Sequence, residues 1–441
     1  MSSQNYALGQ SGIYRNLPTF DPSIKDLTAI ICGATGISGF HALRALVESP
    51  NRWRTIYTVS RTSLSEKHLS LIPASLHERI KHVAVDFESS PEDIVQSLRN
   101  NIPRVDYVFY YTYIQPKSEG LSGIDPRMAQ RLCDANVPVF DTFLRAIEAA
   151  GLQPKRILLQ TGGKNYGMHL GRVRTPLVES DPQPRHLQPN FYYLLEDLLK
   201  DFCVRNPRTE WNVVRPAGIV GATLNSPLNT FFSFGIYAAV QAHKNEALEF
   251  GGDFDSWRFE ACHSTARLTG YLSEWAVLEE SCANQAFNAQ DGGGLSWDRF
   301  FQELARWFGA PGVTAPSADS HYHNTLELAG GEDAPLGYGP PLILRNKFTL
   351  AEWSREADNQ AVWEEIKAAS GKIVPEASLS PETMSGDFAY LNFGTLAMNK
   401  ARRYGFSGFV DSLESIFESF NEMERLCILP PMKVKAARPL E

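Results

Sequence analysis

Three evenly spaced glycines in this chain have the spacing of a phosphate-binding turn. Gly33, Gly36 and Gly39 follow an apolar run at residues 28–32 and precede apolar residues at helical spacing. The pattern predicts strand, tight turn and helix, the context in which such a turn binds a dinucleotide. Gly33 would turn the chain, Gly36 would admit a pyrophosphate to backbone N–H groups, and Gly39 would let the helix pack closely. A glycine-rich turn without a ligand is the alternative.

An arginine after the second predicted strand bears on the form of the dinucleotide. Residues 55–60 form that strand, and Ser60, Arg61 and Thr62 come at its end with no acid beside them. An acid at this place would hold the ribose 2′-OH of NAD, whereas an arginine suits the 2′-phosphate of NADP. Arg61 therefore favours NADPH, although a solvated surface arginine would look the same.

Asp86 and Phe87 end the third predicted strand, residues 82–87. In nucleotide-binding sheets of this kind, an acid at this place often accepts a hydrogen bond from the adenine amino group. Asp86 would serve equally well as a turn or capping aspartate. The sequence leaves both roles open.

Two adjacent tyrosines lie on a predicted helix that starts after Pro189 and Asn190. At about 100° per residue, one apolar stripe of this helix comprises Phe191, Leu194, Leu195, Leu198, Leu199 and Phe202. Tyr192 falls at the edge of this stripe and Tyr193 nearly opposite it, so Tyr192 is the better candidate for a phenol in a cleft. Simple packing is the alternative for a tyrosine at a core boundary.

The order of the predicted elements brings these residues together. Strands and helices alternate up to a strand at residues 156–160, which predicts an α/β fold, a doubly wound parallel sheet with helices on both faces. Ligands of such sheets bind beyond the carboxyl ends of the strands. The glycine turn, Arg61, Asp86 and segments 111–113 and 161–164 would then lie along one edge.

Length and composition bound the organisation of the chain. A chain of 441 residues is longer than a single hydrophobic core usually organises. We therefore expect a tail at 1–26, a Rossmann domain at 27–290 and a smaller, mostly helical substrate-binding region at 291–441. The apolar, aromatic part of segment 222–250 could contribute a pocket wall. Segment 310–341 is low in pattern and is expected to be a surface excursion.

Charge and cysteine content narrow the expected partners. The net charge of −8 provides no basic field for nucleic acid or an anionic membrane. No apolar run is long enough to span a bilayer, and the N-terminus lacks the apolar core of a secretory signal. The six scattered cysteines show no metal-ligand spacing. We expect a reduced, cytoplasmic enzyme without a metal, acting on a hydrophobic small molecule; a homodimer is left open.

Several motifs occur together in the order of a known family. The sequences GATGISG at 33–39, LQTGGKNY at 159–166 and NFYY at 190–193, with Ser60-Arg61 and Arg215-Pro216, resemble the progesterone 5β-reductase/iridoid synthase-like (PRISE) enzymes. These are an atypical branch of the extended short-chain dehydrogenases/reductases (SDRs), and the resemblance covers most of the chain from residue 27 onward.

The resemblance implies a catalytic pair and a cofactor. Ordinary SDRs carry tyrosine and lysine four positions apart, but the position four beyond Tyr192 is Glu196. The family pattern instead implies Tyr192 with Lys164, and NADPH as cofactor. With the strand ends it gives this cofactor-binding set: Gly33, Thr35, Gly36, Ile37, Gly39, Ser60, Arg61, Thr62, Asp86, Phe87, Tyr111, Thr112, Gln160, Thr161, Gly162, Pro216, Ala217 and Ile219.

The reaction implied by the resemblance is NADPH-dependent 1,4-reduction of an enone or enal in a hydrophobic molecule such as a terpenoid or polyketide. Tyr192 would stabilise the enolate, and the charge of Lys164 would make the phenol a better donor. Direct reduction of a ketone or aldehyde at the same site stays open, as does a non-redox role as cyclase, isomerase or NADPH-binding protein. Segments 111–114 and 310–341 depart from the family, so no substrate is carried over.

Overall fold

The computed structural model describes residues 7–117, 125–224, 229–374 and 377–440. Its strands are β1 (Gly9–Ser11), β2 (Tyr14–Leu17), β3 (Leu27–Cys32), β4 (Trp53–Ser60), β5 (Ile80–Ala84), β6 (Tyr107–Tyr110), β7 (Arg156–Gln160), β8 (Glu210–Pro216), β9 (Ile219–Val220), β10 (Leu248–Glu249), β11 (Glu260–Ala261), β12 (Ser264–Thr265), β13 (Gln285–Ala289), β14 (Leu295–Ser296), β15 (Val313–Thr314), β16 (Asn324–Leu328) and β17 (Leu342–Asn346). Its α-helices are α1 (Ile37–Val47), α2 (Glu66–Leu69), α3 (Pro91–Asn101), α4 (Pro126–Ala149), α5 (Phe191–Arg205), α6 (Thr230–Lys244), α7 (Phe254–Arg258), α8 (Ala266–Leu278), α9 (Trp297–Phe308), α10 (Leu350–Trp353), α11 (Ala357–Ser370), α12 (Asn399–Tyr404) and α13 (Ser412–Arg425).

A parallel sheet forms the centre of the molecule, which confirms the predicted doubly wound fold. Within the described segments it has seven strands in the order β13-β8-β7-β6-β3-β4-β5. The central strands β3, β6 and β7 are almost entirely buried because helices cover both faces, so they read as apolar runs rather than alternating patterns. The strand order reverses between β3 and β6, which places the ligand crevice of this fold at their carboxyl ends.

One strand ends earlier than the sequence predicted. The third strand, β5, ends at Ala84, so Asp86 and Phe87 lie in the turn beyond it.

Helix α4 runs without a break through Pro138. Its apolar face, which includes Phe140, Phe143 and Ile147, is buried in the sheet–helix core. This burial compensates for the backbone hydrogen bond that proline cannot make.

The expected N-terminal tail forms ordered structure where it is described. Strands β1 and β2 form an antiparallel hairpin, and Tyr14 and Leu17 are buried in the main core. Arg15 makes an ion pair with Glu414 of α13, with 2.7 Å between Nη1 and Oε2. Residues 1–6 lie outside the described part. The division of the chain at residues 26 and 290 remains a prediction.

The predicted surface excursion at 310–341 contains more regular structure than its composition indicated. It includes β15, which pairs with β10, and β16, which forms an antiparallel hairpin with β17. The loop beyond β16 contacts the segment after β7, where the Ala329 N–H donates to Leu170 O at 3.0 Å. The excursion therefore packs directly beside the edge of the sheet that was predicted to bind ligands.

Within the described segments, no helix combines the length and the apolar character needed to cross a membrane. The longest helix of the sheet–helix core, α4, carries polar and charged residues along its exposed face.

Candidate active site

The glycine turn between β3 and α1 has the geometry that its sequence predicted. Gly33 has a φ of +79°, and a Cβ there would lie 2.9 Å from the backbone N of Thr112. A Cβ on Gly39 would clash with the carbonyl of Gly33. The protein itself therefore requires glycine at both positions. A Cβ on Gly36 would meet only the Gly33 oxygen, at 3.5 Å, so Gly36 leaves an open space at the start of the helix.

The start of α1 suits an anionic ligand. Gly36 is the N-cap and has no side chain to bind the first N–H groups, and the first turn carries no acid. Gln160, at the end of β7, donates from Nε2 to Ser38 Oγ at 2.8 Å, while its Oε1 is buried with no hydrogen-bond partner in the described part of the chain. An open helix terminus beside an unpaired acceptor fits the pyrophosphate and sugar of a dinucleotide.

The edge beyond β4 and β5 is polar and open. The Arg61 side chain is largely exposed. It makes a long ion pair with Glu88, which is also exposed, with 4.0 Å between Nη1 and Oε2. Asp86 Oδ1 accepts from the backbone N of Glu88 at 3.1 Å, the turn role that the sequence left open. Ser60 Oγ donates to the carbonyl of Thr62 at 2.8 Å. Arg61 therefore has the freedom to meet a ligand at this edge.

Several members of the predicted cofactor-binding set turn their side chains away from the edge. Tyr111 and Phe87 are buried, the former with its hydroxyl in the main core and the latter against Phe143. The Thr161 hydroxyl donates to Glu196 at 3.5 Å. The backbone of Tyr111 packs against Gly33. These residues can contact a cofactor at this edge through backbone atoms.

The carboxyl ends of β7 and β8 meet the helix that carries Tyr192. A Cβ on Gly162 would lie 3.3 Å from the Tyr192 hydroxyl and 3.1 Å from the Pro216 carbonyl. Ala217, in the turn after β8, and Ile219, the first residue of β9, are both half-buried. The hydroxyl of Tyr192 therefore lies against the segment that leads to Lys164.

One amide side chain joins the predicted catalytic residues. Asn190 is the N-cap of α5, and its Oδ1 accepts from the backbone N of Tyr192 at 3.0 Å. Its Nδ2 donates to the backbone carbonyl of Lys164 at 2.8 Å. Asn190 thus ties the first turn of α5 to the 3₁₀ turn at Gly163–Tyr166.

Burial shifts the pKa values of both residues, in opposite directions. It raises the pKa of Tyr192 to about 12, so the phenol keeps its proton at neutral pH and can donate it. It lowers the pKa of Lys164. No described residue makes a hydrogen bond or an ion pair with the Lys164 side chain. The protonated phenol thus lies beside the backbone segment that leads to Lys164, whose amine pairs with no described carboxylate.

The helical wheel of α5 placed two residues, Leu194 and Tyr193, on the wrong side of the helix. Leu194, assigned to the buried stripe, is 41% exposed, whereas Tyr193 is 3% exposed and lies under Arg185, 5.2 Å from guanidinium carbon to ring centre. The loop before the helix covers this side, which rotates the buried arc toward Tyr193 and Glu196. Tyr192 is half-buried.

Sequence reasoning missed a buried ion pair beneath the site. The Arg215 Nη2 donates to both carboxylate oxygens of Glu196, at 2.9 and 3.0 Å, and both side chains are almost fully buried. Arg215 also lies 5.4 Å from the Tyr166 ring centre. The available signal was a glutamate directly after Leu195 in an apolar helix, together with an arginine inside a buried strand.

A cavity adjoins Lys164. We call it the inner hollow; it has a volume of only about 10 Å³ and is lined by Ala129, Leu132, Lys164, His169, Gln188, Pro189, Asn190 and Phe191. A second cavity, the outer hollow, has a volume of about 210 Å³ and is lined by Pro126, His169, Leu170, Leu187, Gln188, Glu327, Leu328, Ala329 and Asp333. His169 and Gln188 line both.

Comparison with known proteins identifies relatives along most of the chain. The family described as "PRISE-like Rossmann-fold domain" matches residues 29–330. The short chain dehydrogenase gsfE of Penicillium aethiopicum is 28% identical over 410 residues, 91% of this chain and 99% of that protein. The (S)-8-oxocitronellyl enol synthase of Antirrhinum majus is 26% identical over 414 residues, 91% of this chain and 92% of that protein.

Solved structures share the fold at low identity. The Bordetella bronchiseptica enzyme WbmG, in complex with NAD and UDP, has a TM-score of 0.52 at 13% identity and covers 91% of this chain and 95% of its own. The UDP-glucose 4-epimerase of Brucella ovis, in complex with NAD, has a TM-score of 0.50 at 17% identity, covering 66% and 86%. They confirm the fold of the parallel sheet and its covering helices.

We expect Asn190→Ala to lower the free energy of unfolding by about 2 kcal/mol, from one lost helix cap and one lost hydrogen bond. Asn190→Asp keeps the cap acceptor but cannot donate to the Lys164 carbonyl, and should lose about half as much. Urea unfolding measures both, with Asn229→Ala at the N-cap of α6 as the matched control. If Asn190→Asp equals the wild type, the bond to Lys164 contributes nothing.

We expect Arg215→Met to destabilise the protein by about 3 kcal/mol, because it leaves the buried Glu196 carboxylate with only the longer ion pair to Lys200, at 3.5 Å. The double variant Glu196→Gln/Arg215→Met removes this poorly compensated charge and should recover part of the loss. Denaturant unfolding of the four proteins in the cycle measures the coupling. A double variant as unstable as the sum of the two single variants would contradict the ion pair.

Proposed function

Because the chain belongs to the PRISE family, we propose that it is an NADPH-dependent reductase of an activated C=C bond in a hydrophobic small molecule. The observation that carries the proposal is the protonated phenol of Tyr192 beside the segment of Lys164, both joined by Asn190. The substrate would be an enone or enal, such as a terpenoid or polyketide. Relatives named as a short chain dehydrogenase and as an enol synthase agree with this class.

The chain's own residues would act on the carbonyl oxygen of the substrate. NADPH, when bound, supplies the hydride that adds to the β-carbon. Tyr192 donates a hydrogen bond to the oxygen on which negative charge develops, and this stabilises the enolate. The positive charge of Lys164 favours the same developing anion. Because burial keeps the Tyr192 pKa near 12, the donor stays protonated through the physiological range.

Open space and unpaired groups at the strand ends support the proposal that a dinucleotide binds there. Gly36 and the N-terminus of α1 would bind the pyrophosphate, and Gln160 has a free buried acceptor beside it. Arg61 would pair with the 2′-phosphate and select NADPH over NADH.

A substrate panel tests the proposal. Consumption of NADPH over enones, enals and ketones, with products identified, separates the reactions. A saturated ketone or aldehyde supports 1,4-reduction, and an allylic alcohol indicates carbonyl reduction at the same site. Binding of NADPH without turnover of any panel member would contradict a reductase and favour a non-redox protein.

We expect Tyr192→Phe to lower kcat about 100-fold, since removing one donor to an oxyanion costs on the order of 3 kcal/mol. The dissociation constant for NADPH should change less than about threefold, because the phenol acts on the substrate. Tyr193→Phe is the matched control and should retain kcat, since its ring packs under Arg185. Equal, mild effects of Tyr192→Phe on turnover and on NADPH binding would count against the role of the phenol.

We expect Arg61→Ala to raise the KM for NADPH about 10- to 100-fold, the worth of a charge-assisted hydrogen bond to phosphate. The KM for NADH should stay unchanged because NADH has no 2′-phosphate. Steady-state kinetics with both cofactors measure the ratio of the two KM values. Arg54→Ala, at an exposed position of β4, the strand that precedes Arg61, is the control. A parallel rise for both cofactors would show that Arg61 does not read the 2′-phosphate.

A further inference from the structure

A buried histidine on α2 reaches the glycine turn through one threonine. His68 is 1% exposed, and its Nε2 lies 3.1 Å from the hydroxyl of Thr223. That hydroxyl donates to the backbone carbonyl of Thr35 at 2.9 Å. Thr35 lies between Gly33 and Gly36, in the turn that would bind the pyrophosphate. The proposed chemistry at the substrate oxygen gives His68 no part.

The hydrogen bonds of this chain of side chains have one consistent direction. The single proton of the Thr223 hydroxyl goes to the Thr35 carbonyl, so the His68 Nε2 must carry a hydrogen and donate it to that hydroxyl. The Nδ1 of a neutral ring is then an acceptor, and the Ser65 hydroxyl lies 2.9 Å away as its donor. Burial lowers the pKa of His68 to about 4, so the ring is neutral at physiological pH.

The segment that carries Thr223 is also held from other sides. His41 of α1 has its Nε2 3.1 Å from both the backbone N and the backbone O of Ala222. A Cβ on Gly221 would lie 2.9 Å from the same nitrogen, so the segment packs tightly against α1. Asn229, the N-cap of α6, donates from Nδ2 to the Gly221 carbonyl at 3.0 Å. These contacts hold the Thr223 hydroxyl where it meets the turn.

The carbonyl of Thr35 belongs to the peptide plane that ends at the N of Gly36. This plane leads directly to the first N–H groups of α1, which have no partner within the helix and would bind the pyrophosphate. Because Gly36 has no Cβ, sterics alone leave the backbone around this plane several orientations. A hydrogen bond to the Thr35 carbonyl restricts them, and a turn held in this way loses less conformational entropy when it binds a ligand.

We propose that His68 is a positioning residue for the dinucleotide: it orients the Thr223 hydroxyl, which holds the Thr35–Gly36 peptide plane in the orientation that binds the pyrophosphate. This inference rests on the proposed function for the identity of the ligand. The pyrophosphate is common to NADPH and NADH, so His68 and Thr223 strengthen the binding of both. Arg61, by contrast, would strengthen the binding of NADPH alone.

Variants at Thr223 isolate the hydroxyl. Thr223→Val keeps the shape of the side chain and removes both of its hydrogen bonds, so the dissociation constants for NADPH and for NADH should each rise about five- to tenfold. Thr223→Ser keeps the hydroxyl and should stay within about twofold of the wild type. Fluorescence titration of each cofactor measures these constants. Thr58→Val is the matched control, since it removes a buried hydroxyl of β4 that has no partner in the described part of the chain.

Variants at His68 test whether the ring acts through Thr223. His68→Leu should weaken the binding of both cofactors about fivefold. His68→Gln places an N–H close to the Nε2 position and should restore most of the affinity, whereas His68→Asn reaches only the Nδ1 position and should not. The double variant His68→Leu/Thr223→Val should bind no more weakly than Thr223→Val alone, because both changes break the same chain of hydrogen bonds. Losses that simply add would contradict the connection.

Hydrogen exchange of the cofactor-free protein provides a measurement that requires neither a bound cofactor nor turnover. The backbone amides of residues 34–38 should exchange faster in Thr223→Val than in the wild type, because the turn has lost the contact that restricts it. Thr58→Val and Thr223→Ser should exchange like the wild type. A change of global stability alone would accelerate exchange across the core and not at this turn.

These measurements separate the inference from the proposed function. Weaker binding of both cofactors to Thr223→Val and His68→Leu supports the inference even where no substrate is reduced, in which case only the proposed reaction fails. Dissociation constants within twofold of the wild type, or weaker binding of NADPH alone, overturn it even if reduction is observed. A wild type that binds neither cofactor overturns both. Should His68→Leu fail to fold, the comparison of Thr223→Val with Thr223→Ser decides.

Discussion

The common direction of the central strands is the constraint on which the site depends. Because β3, β6, β7 and β8 are parallel neighbours, every loop that leaves their carboxyl ends emerges at one edge. Contacts between distant segments follow from this. The Gly33 turn meets the backbone of Thr112, Gln160 meets Ser38, and Gly162 meets the hydroxyl of Tyr192.

Arg215 and Lys164, two basic residues beneath this edge, differ in whether a carboxylate pairs with them. Arg215 donates hydrogen bonds to both carboxylate oxygens of Glu196. Glu196 stands at the position where ordinary SDRs carry lysine. Lys164 comes from the other direction and makes no ion pair with any described residue. The Arg215–Glu196 ion pair is buried and paired within the protein, so its role is structural. A basic residue without a protein counter-ion, such as Lys164, is free to interact with a developing anion. The Asn190 side chain connects the two regions through hydrogen bonds to backbone atoms.

The elements that depend on local pattern could be read from the sequence, and those that depend on tertiary contacts could not. The strand at Arg156–Gln160 and the glycine turn follow from apolar runs and from backbone sterics. The exposure of Leu194 and the burial of Glu196 depend on a loop that covers one side of α5. The burial of His169 carried no signal in the sequence, because an isolated histidine in an irregular segment has no period.

The loop at 167–172 is held by two backbone hydrogen bonds, from Ala329 N to Leu170 O and from Leu336 N to Arg172 O. These contacts have a consequence for the order in which the molecule is assembled. The partners of the loop, Ala329 and Leu336, lie some distance beyond β13 in the chain. A nascent polypeptide can therefore complete the parallel sheet before these anchors have left the ribosome, because domains condense as their segments emerge. Contacts of such large sequence separation form slowly. The scaffold would then mature first, and competence for catalysis would follow only when the later half of the polypeptide docks.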